Sequence, residues 1–83
     1  MAWNHDLNIS DFFHDDDLTI TEKAEKISER LKSRPWFDGL TYKEDLEGLL
    51  EELTDMEDAD DFDMIWDQMY DIFDAERIWV RTL

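Results

Sequence analysis

From Glu44 to Glu76 the chain carries fifteen aspartates and glutamates and not one lysine, arginine or histidine. Like charge at that density raises the free energy of a compact state, so a folded chain that keeps it does so for a reason. The excess is local. Residues 1–20 contribute −5, residues 21–43 contribute +2, residues 44–76 contribute −15 and residues 77–83 contribute +2 to a formal net charge of −16.

The remaining composition says that such a chain folds. Apolar residues make up 42% of the 83 residues, with four Trp, five Phe and two Tyr, too much apolar bulk for a chain kept unfolded by low hydrophobicity. The length fits one small domain spanning residues 1–83, near the lower limit for a single unstapled core. With no cysteine there are no disulfides and no thiolate metal sites, which suits a reducing compartment. No apolar run reaches a membrane span, and the start Met1-Ala2-Trp3-Asn4-His5-Asp6 lacks the basic and apolar regions of a signal peptide. The expectation is a soluble cytoplasmic protein without a membrane partner.

Hydrophobic periodicity predicts a mainly α fold of three helices. Thr19-Ile20-Thr21-Glu22 is a capping box, followed by Ile20, Ala24, Ile27 and Leu31 on one stripe, and Pro35 ends the segment. Lys23, Lys26, Arg30 and Lys32 occupy its other faces. After Gly39, Thr41-Tyr42-Lys43-Glu44 repeats the capping pattern and opens a second helix with Tyr42, Leu46, Leu49, Leu50 and Leu53 on one face. Asp58 or Asp60 caps the third, whose Phe62, Ile65, Trp66, Met69, Ile72 and Phe73 form the strongest apolar stripe in the chain. The link from about Thr54 to Ala59 is short enough to make helices two and three an antiparallel hairpin.

The two ends are less defined. Arg77-Ile78-Trp79-Val80-Arg81 alternates and is rich in β-branched and aromatic residues, which suits a short strand. Trp3 to Phe13 is its only obvious pairing partner, and that stretch equally suits a one-turn helix begun by Ser10. Asp15-Asp16-Asp17 reads as a solvated loop. Trp66, Trp36 and Trp79 are expected to close the core.

On a 100° wheel, Asp60, Asp63, Asp67, Asp71 and Asp74 fall within about 80° of one another, opposite the apolar stripe. Glu44, Glu47, Glu51 and Asp55 form a second row opposite the leucines of helix two. Each four-residue step rises about 6 Å, close to the spacing of successive phosphates on one nucleic-acid strand. An ordinary amphipathic helix also has a charged outer face, but a face serving only solubility mixes signs and gains from Glu-to-Lys pairs at i,i+4. Within 44–76 every such pair is missing. Helix three also uses Asp where Glu is the better helix former, which holds each charge close to the backbone and suits recognition. Met64 lies on this carboxylate side between Asp60 and Asp67, a candidate contact anchor.

Other chemistries fit poorly. A calcium loop needs oxygen ligands at positions 1, 3 and 5, Gly at 6 and Glu at 12. Begun at Asp58 it places Phe62 at position 5 and Asp63 at 6; begun at Asp15 it places Ile20 at 6 and Lys26 at 12. His5 and His14 lack metal-ligand spacing and read as isolated surface histidines. Gly39 and Gly48 are the only glycines, so there is no phosphate-cradling loop, and no nucleophile motif is present. No cofactor, metal or catalytic residue is expected. Direct nucleic-acid binding is disfavoured, because phosphate affinity comes mostly from Lys and Arg; those of helix one offset the acidic field or mark a second contact surface.

These features point to a non-catalytic inhibitor or regulator that mimics nucleic-acid phosphates and blocks the basic nucleic-acid site of a partner protein. In size, charge and helical amphipathicity the chain resembles the small acidic inhibitors that phages and mobile elements direct against restriction enzymes, DNA glycosylases and CRISPR effectors. The resemblance transfers no residue. An interaction module such as an immunity protein or antitoxin, or a self-associating structural protein, is the alternative. Adaptation to high salt would coat every surface with acid, which the lysines of helix one oppose. Added monovalent salt should raise the melting temperature by screening residues 44–76. A thermal melt showing a fall, or no change up to about 0.5 M, would mean that these acids are already paired or metal-bound.

Overall fold

A computed structural model describes residues 3–83. Strand β1 (His5–Asn8) is followed by helix α1 (Ile20–Lys32), a single 3-10 turn (Phe37–Gly39), helices α2 (Lys43–Asp55) and α3 (Ala59–Glu76), and strand β2 (Ile78–Arg81). The chain is mostly helical, and its two ends form a two-stranded parallel sheet with His5 opposite Ile78 and Asn8 opposite Arg81. The N-terminal stretch takes the strand reading; the one-turn helix expected from Ser10 does not form, and residues 10–14 make a hydrogen-bonded turn instead. The turn is held by Asn8 rather than Ser10, since Asn8 Oδ1 accepts from the Ser10 amide at 3.0 Å and from its hydroxyl at 2.7 Å.

Helix α1 starts as its capping box requires. Thr19 Oγ1 accepts from the Glu22 amide and Glu22 Oε1 accepts from the Thr19 amide, both at 3.1 Å. Helix α3 is capped by Asp58, whose Oδ1 accepts from the Asp60 amide at 2.9 Å.

The second capping box does not form. The N-cap of α2 is Tyr42, no side chain of its own segment caps it, and the Tyr42 amide donates to Glu76 Oε2 at 3.1 Å. Glu76 ends α3, where a carboxylate opposes the helix dipole; placed against the start of α2 it meets the favourable end of another dipole. Tyr42, expected on the apolar face, is 44% exposed, because a residue outside the helix no longer follows the helical wheel.

The stripes converge on one buried cluster. Ala24, Ile27 and Leu31 of α1, Leu46, Leu50 and Leu53 of α2, and Phe62, Ile65, Trp66, Met69 and Phe73 of α3 pack with Leu7, Ile9, Phe12, Phe37, Ile78 and Val80. Ile20, Leu49 and Ile72 lie half-buried at its margin. Helices α1 and α2 pack against each other, as do α2 and α3. No polar or charged residue among those described is buried, so the charge excess stays at the surface, where desolvation costs least.

Helix α3 runs almost directly into β2. Arg77 adopts a left-handed conformation (φ 59°, ψ 47°), its amide caps α3, and its carbonyl accepts from the Asn4 amide at 2.8 Å and the His5 amide at 3.2 Å. One residue thus ends the helix and starts the sheet. Trp36 packs against the core edge and stacks on His5 (ring centroids 4.6 Å, interplanar angle 13°), so His5 is not the isolated surface histidine its spacing suggested. Trp79 departs from expectation too. Ile78 and Val80 take the inward positions of β2, which leaves Trp79 outward and 47% exposed.

The two Thr boxes now separate in a stability measurement. Thr19→Ala should cost about 1 kcal/mol in urea unfolding, whereas Thr41→Ala should stay within about 0.5 kcal/mol, because Thr41 caps nothing.

Candidate functional site

The carboxylate row of α3 is held outward by the packing of the opposite face. Phe62, Ile65, Trp66, Met69 and Phe73 fix the helix rotation by being buried, and Asp60, Asp63, Asp67, Asp71 and Asp74 are all exposed in consequence. Among the described residues none of these five forms an ion pair. Asp60 and Asp61 lie in the first turn, where the helix dipole favours them; Asp74 lies in the last turn, where it does not.

The row of α2 is only partly free. Glu44, Glu51 and Asp55 are exposed, but Glu47 is half-buried and pairs with Lys43 at 3.1 Å. Lys43 stands one residue outside the base-free segment yet is the first residue of α2, so one i,i+4 pair exists where none was expected. Hydrogen bonding to Glu47, with the nearby carboxylates of Asp38 and Glu44, raises the Lys43 pKa above its usual value. Lys43 Nζ also lies 3.8 Å from Asp38 and 5.9 Å from the Phe37 ring centroid.

Exposed non-acidic residues flank the α3 row. Met64 is 55% exposed on one side, as its wheel position implied. On the other side Tyr70 is 38% exposed, with its ring edge-on to Trp66 at 5.6 Å. Sequence reasoning missed Tyr70, although its place on the wheel, between the acidic row and Trp66, carried the signal.

The bases of α1 are turned to another use. Arg30 forms a bidentate pair with Asp11 (2.8 and 3.2 Å) and donates to the Asn8 carbonyl at 2.7 Å. Its guanidinium and the Lys26 ammonium lie 5.4 and 5.9 Å from the Phe12 ring centroid, and Lys23 lies 5.5 Å from that of Phe13. Cations of α1 therefore strap the turn after β1 onto the helix. The hydrogen bond from Arg30 holds the Asp11 carboxyl below the usual carboxylate range and raises the Arg30 pKa in return.

Among the described residues, no three His, Asp or Glu side chains converge as a metal site, and no helix is long and apolar enough to cross a membrane. The acids stand apart along helix faces rather than converging on a point. Such an arrangement presents a surface of fixed negative charge to another molecule.

Gly48 lies next to the α2 row on the wheel, is exposed, and has no atom within 4 Å of where a Cβ would stand. Gly48→Ala should therefore stabilise the protein by about 0.5–1 kcal/mol in urea unfolding, through helix propensity alone. A loss of stability instead would reveal strain in α2 at that turn.

No family model matches the chain, and no curated protein or solved structure matches it.

Proposed function

We propose that the protein is a non-catalytic inhibitor or regulator that occupies the basic nucleic-acid-binding site of a partner protein, with its carboxylate rows standing where phosphates otherwise sit. The supporting observation is the α3 row: five outward aspartates at helical spacing, with no ion-pair partner among the described residues. On this reading α2 and α3 form an antiparallel hairpin that presents both rows. The short connection between Asp55 and Ala59 and the Glu76 contact with Tyr42 suit that arrangement. Glu44, Glu51 and Asp55 add their charges to the surface, while Glu47 is partly neutralised by Lys43. Association is fast and salt-weakened, because it relies on a field that already attracts phosphate.

A second reading, an immunity protein or antitoxin, draws on Met64 and Tyr70. Exposed side chains of these types beside an acidic row suit an interface whose energy is concentrated in a few anchors.

The partner can be recovered by pull-down from host lysate after nuclease treatment, and competing DNA should displace it. Asp67→Asn and Asp71→Asn should each weaken that complex a few-fold, the double variant by about the product, with a shallower salt dependence. Abrupt loss in Tyr70→Ala with little effect of the Asn variants would instead favour the anchor-based interface.

A further inference from the structure

Two arginines of this chain are held in the same way. Arg30 forms a bidentate pair with Asp11 at 2.8 and 3.2 Å, and its guanidinium lies 5.4 Å from the centroid of the Phe12 ring. Arg81 forms a bidentate pair with Asp6 at 2.6 and 3.1 Å and lies 5.1 Å from the centroid of Trp79, the residue opposite Asp6 across the sheet. In each case an aspartate beside an aromatic ring takes one planar guanidinium. The carboxylate matches its fork of donors, and the ring attracts its charge.

Helix α3 carries the same set of groups without an arginine. Tyr70 is 38% exposed, and Asp67 and Asp74, three residues before it and four after, are its neighbours on the helix surface. Both aspartates are exposed, and neither forms an ion pair among the described residues. Perpendicular contacts with Trp66 (5.6 Å, 82°) and Phe73 (6.0 Å, 77°) hold the Tyr70 ring in place. Among the described residues no cation lies over that ring, although cations lie over Phe12, Phe13, Phe37 and Trp79. Tyr42, the other exposed tyrosine, differs, because Lys43 follows it directly and Glu76 is engaged by its amide.

We infer that Tyr70, Asp67 and Asp74 form a subsite for an arginine side chain of a partner protein, with the guanidinium against the ring and paired to one of the two carboxylates. This rests on the reading of the α3 row as a face for a basic partner, and it names the base that such a partner presents here. Lysine fills the place less well. Its ammonium is a compact, strongly hydrated point charge that neither pairs bidentately with a carboxylate nor lies flat against a ring. Asp60 and Asp71 stand at the edge of the row away from Tyr70, where either base serves.

Peptides can stand in for the partner. Two peptides of one sequence, carrying four arginines in one and four lysines in the other, are titrated into the full chain by calorimetry at about 0.05 M NaCl. The arginine peptide should bind about three- to fivefold more tightly. Tyr70→Leu should bring that ratio to about one, whereas Tyr70→Phe, which keeps the ring, and Tyr42→Leu should preserve it. If circular dichroism shows Tyr70→Leu to be misfolded, the exposed pair Asp67→Asn and Asp74→Asn supplies the same reading: together they should weaken the arginine peptide more than the lysine peptide and lower the ratio. Equal binding of the two peptides by the wild type, or a preference that the folded variants keep, would overturn the arginine subsite and leave the basic-partner reading in place. Binding of neither peptide would remove both.

Discussion

Self-repulsion in residues 44–76 is the constraint around which the rest of the molecule is arranged. One apolar cluster has to outweigh it, and that works only if no acid enters the cluster. The structure meets this condition without exception among the described residues: nothing charged is buried. Helices satisfy it more readily than strands here, because a stripe at three and four residues leaves most of the helix surface free for carboxylates. Where an acid falls at the wrong end of a helix, as Glu76 does, it is turned toward the start of another helix.

The same constraint explains how the few bases are placed. Arg30, Lys23 and Lys26 lie against Phe12, Phe13 and Asp11, and Arg81 lies against Asp6, so both groups fasten the N-terminal segment. Among the described residues Lys43 is the one base that forms an ion pair with an acidic row. The outward aspartates of α3 are thereby left without an ion-pair partner among the described residues, which is the property on which the proposed function draws.

Legibility in the sequence followed the range of the interaction. The α1 capping box, the Asp58 cap and the α3 stripe involve residues at most a few positions apart and were readable as spacing. The Thr41 box has the same local pattern and does not form, because α2 begins at Lys43 with Tyr42 as its N-cap, and Glu76, thirty-four residues away, accepts from the Tyr42 amide. The residue type of Trp79 suggests the core, yet alternation along β2 turns it outward. Arg77 gave no warning, since a left-handed helix cap is usually Gly and an arginine there carries no recognisable signal. In the candidate site the α3 row and Met64 could be placed in advance; the neutralisation of Glu47 and the exposure of Tyr70 required the packed helices.

By itself the sequence determined three amphipathic helices, the face each one buries and the outward direction of the acidic rows, because these depend on periodicity and on the cost of burying charge. Only the tertiary structure decided that the chain ends pair in parallel, that α2 is capped from α3, and that the bases of α1 serve the N-terminal turn. Those outcomes join residues far apart in the chain. Their free energy comes from contacts that exist only once the apolar cluster has formed, so no local pattern records them.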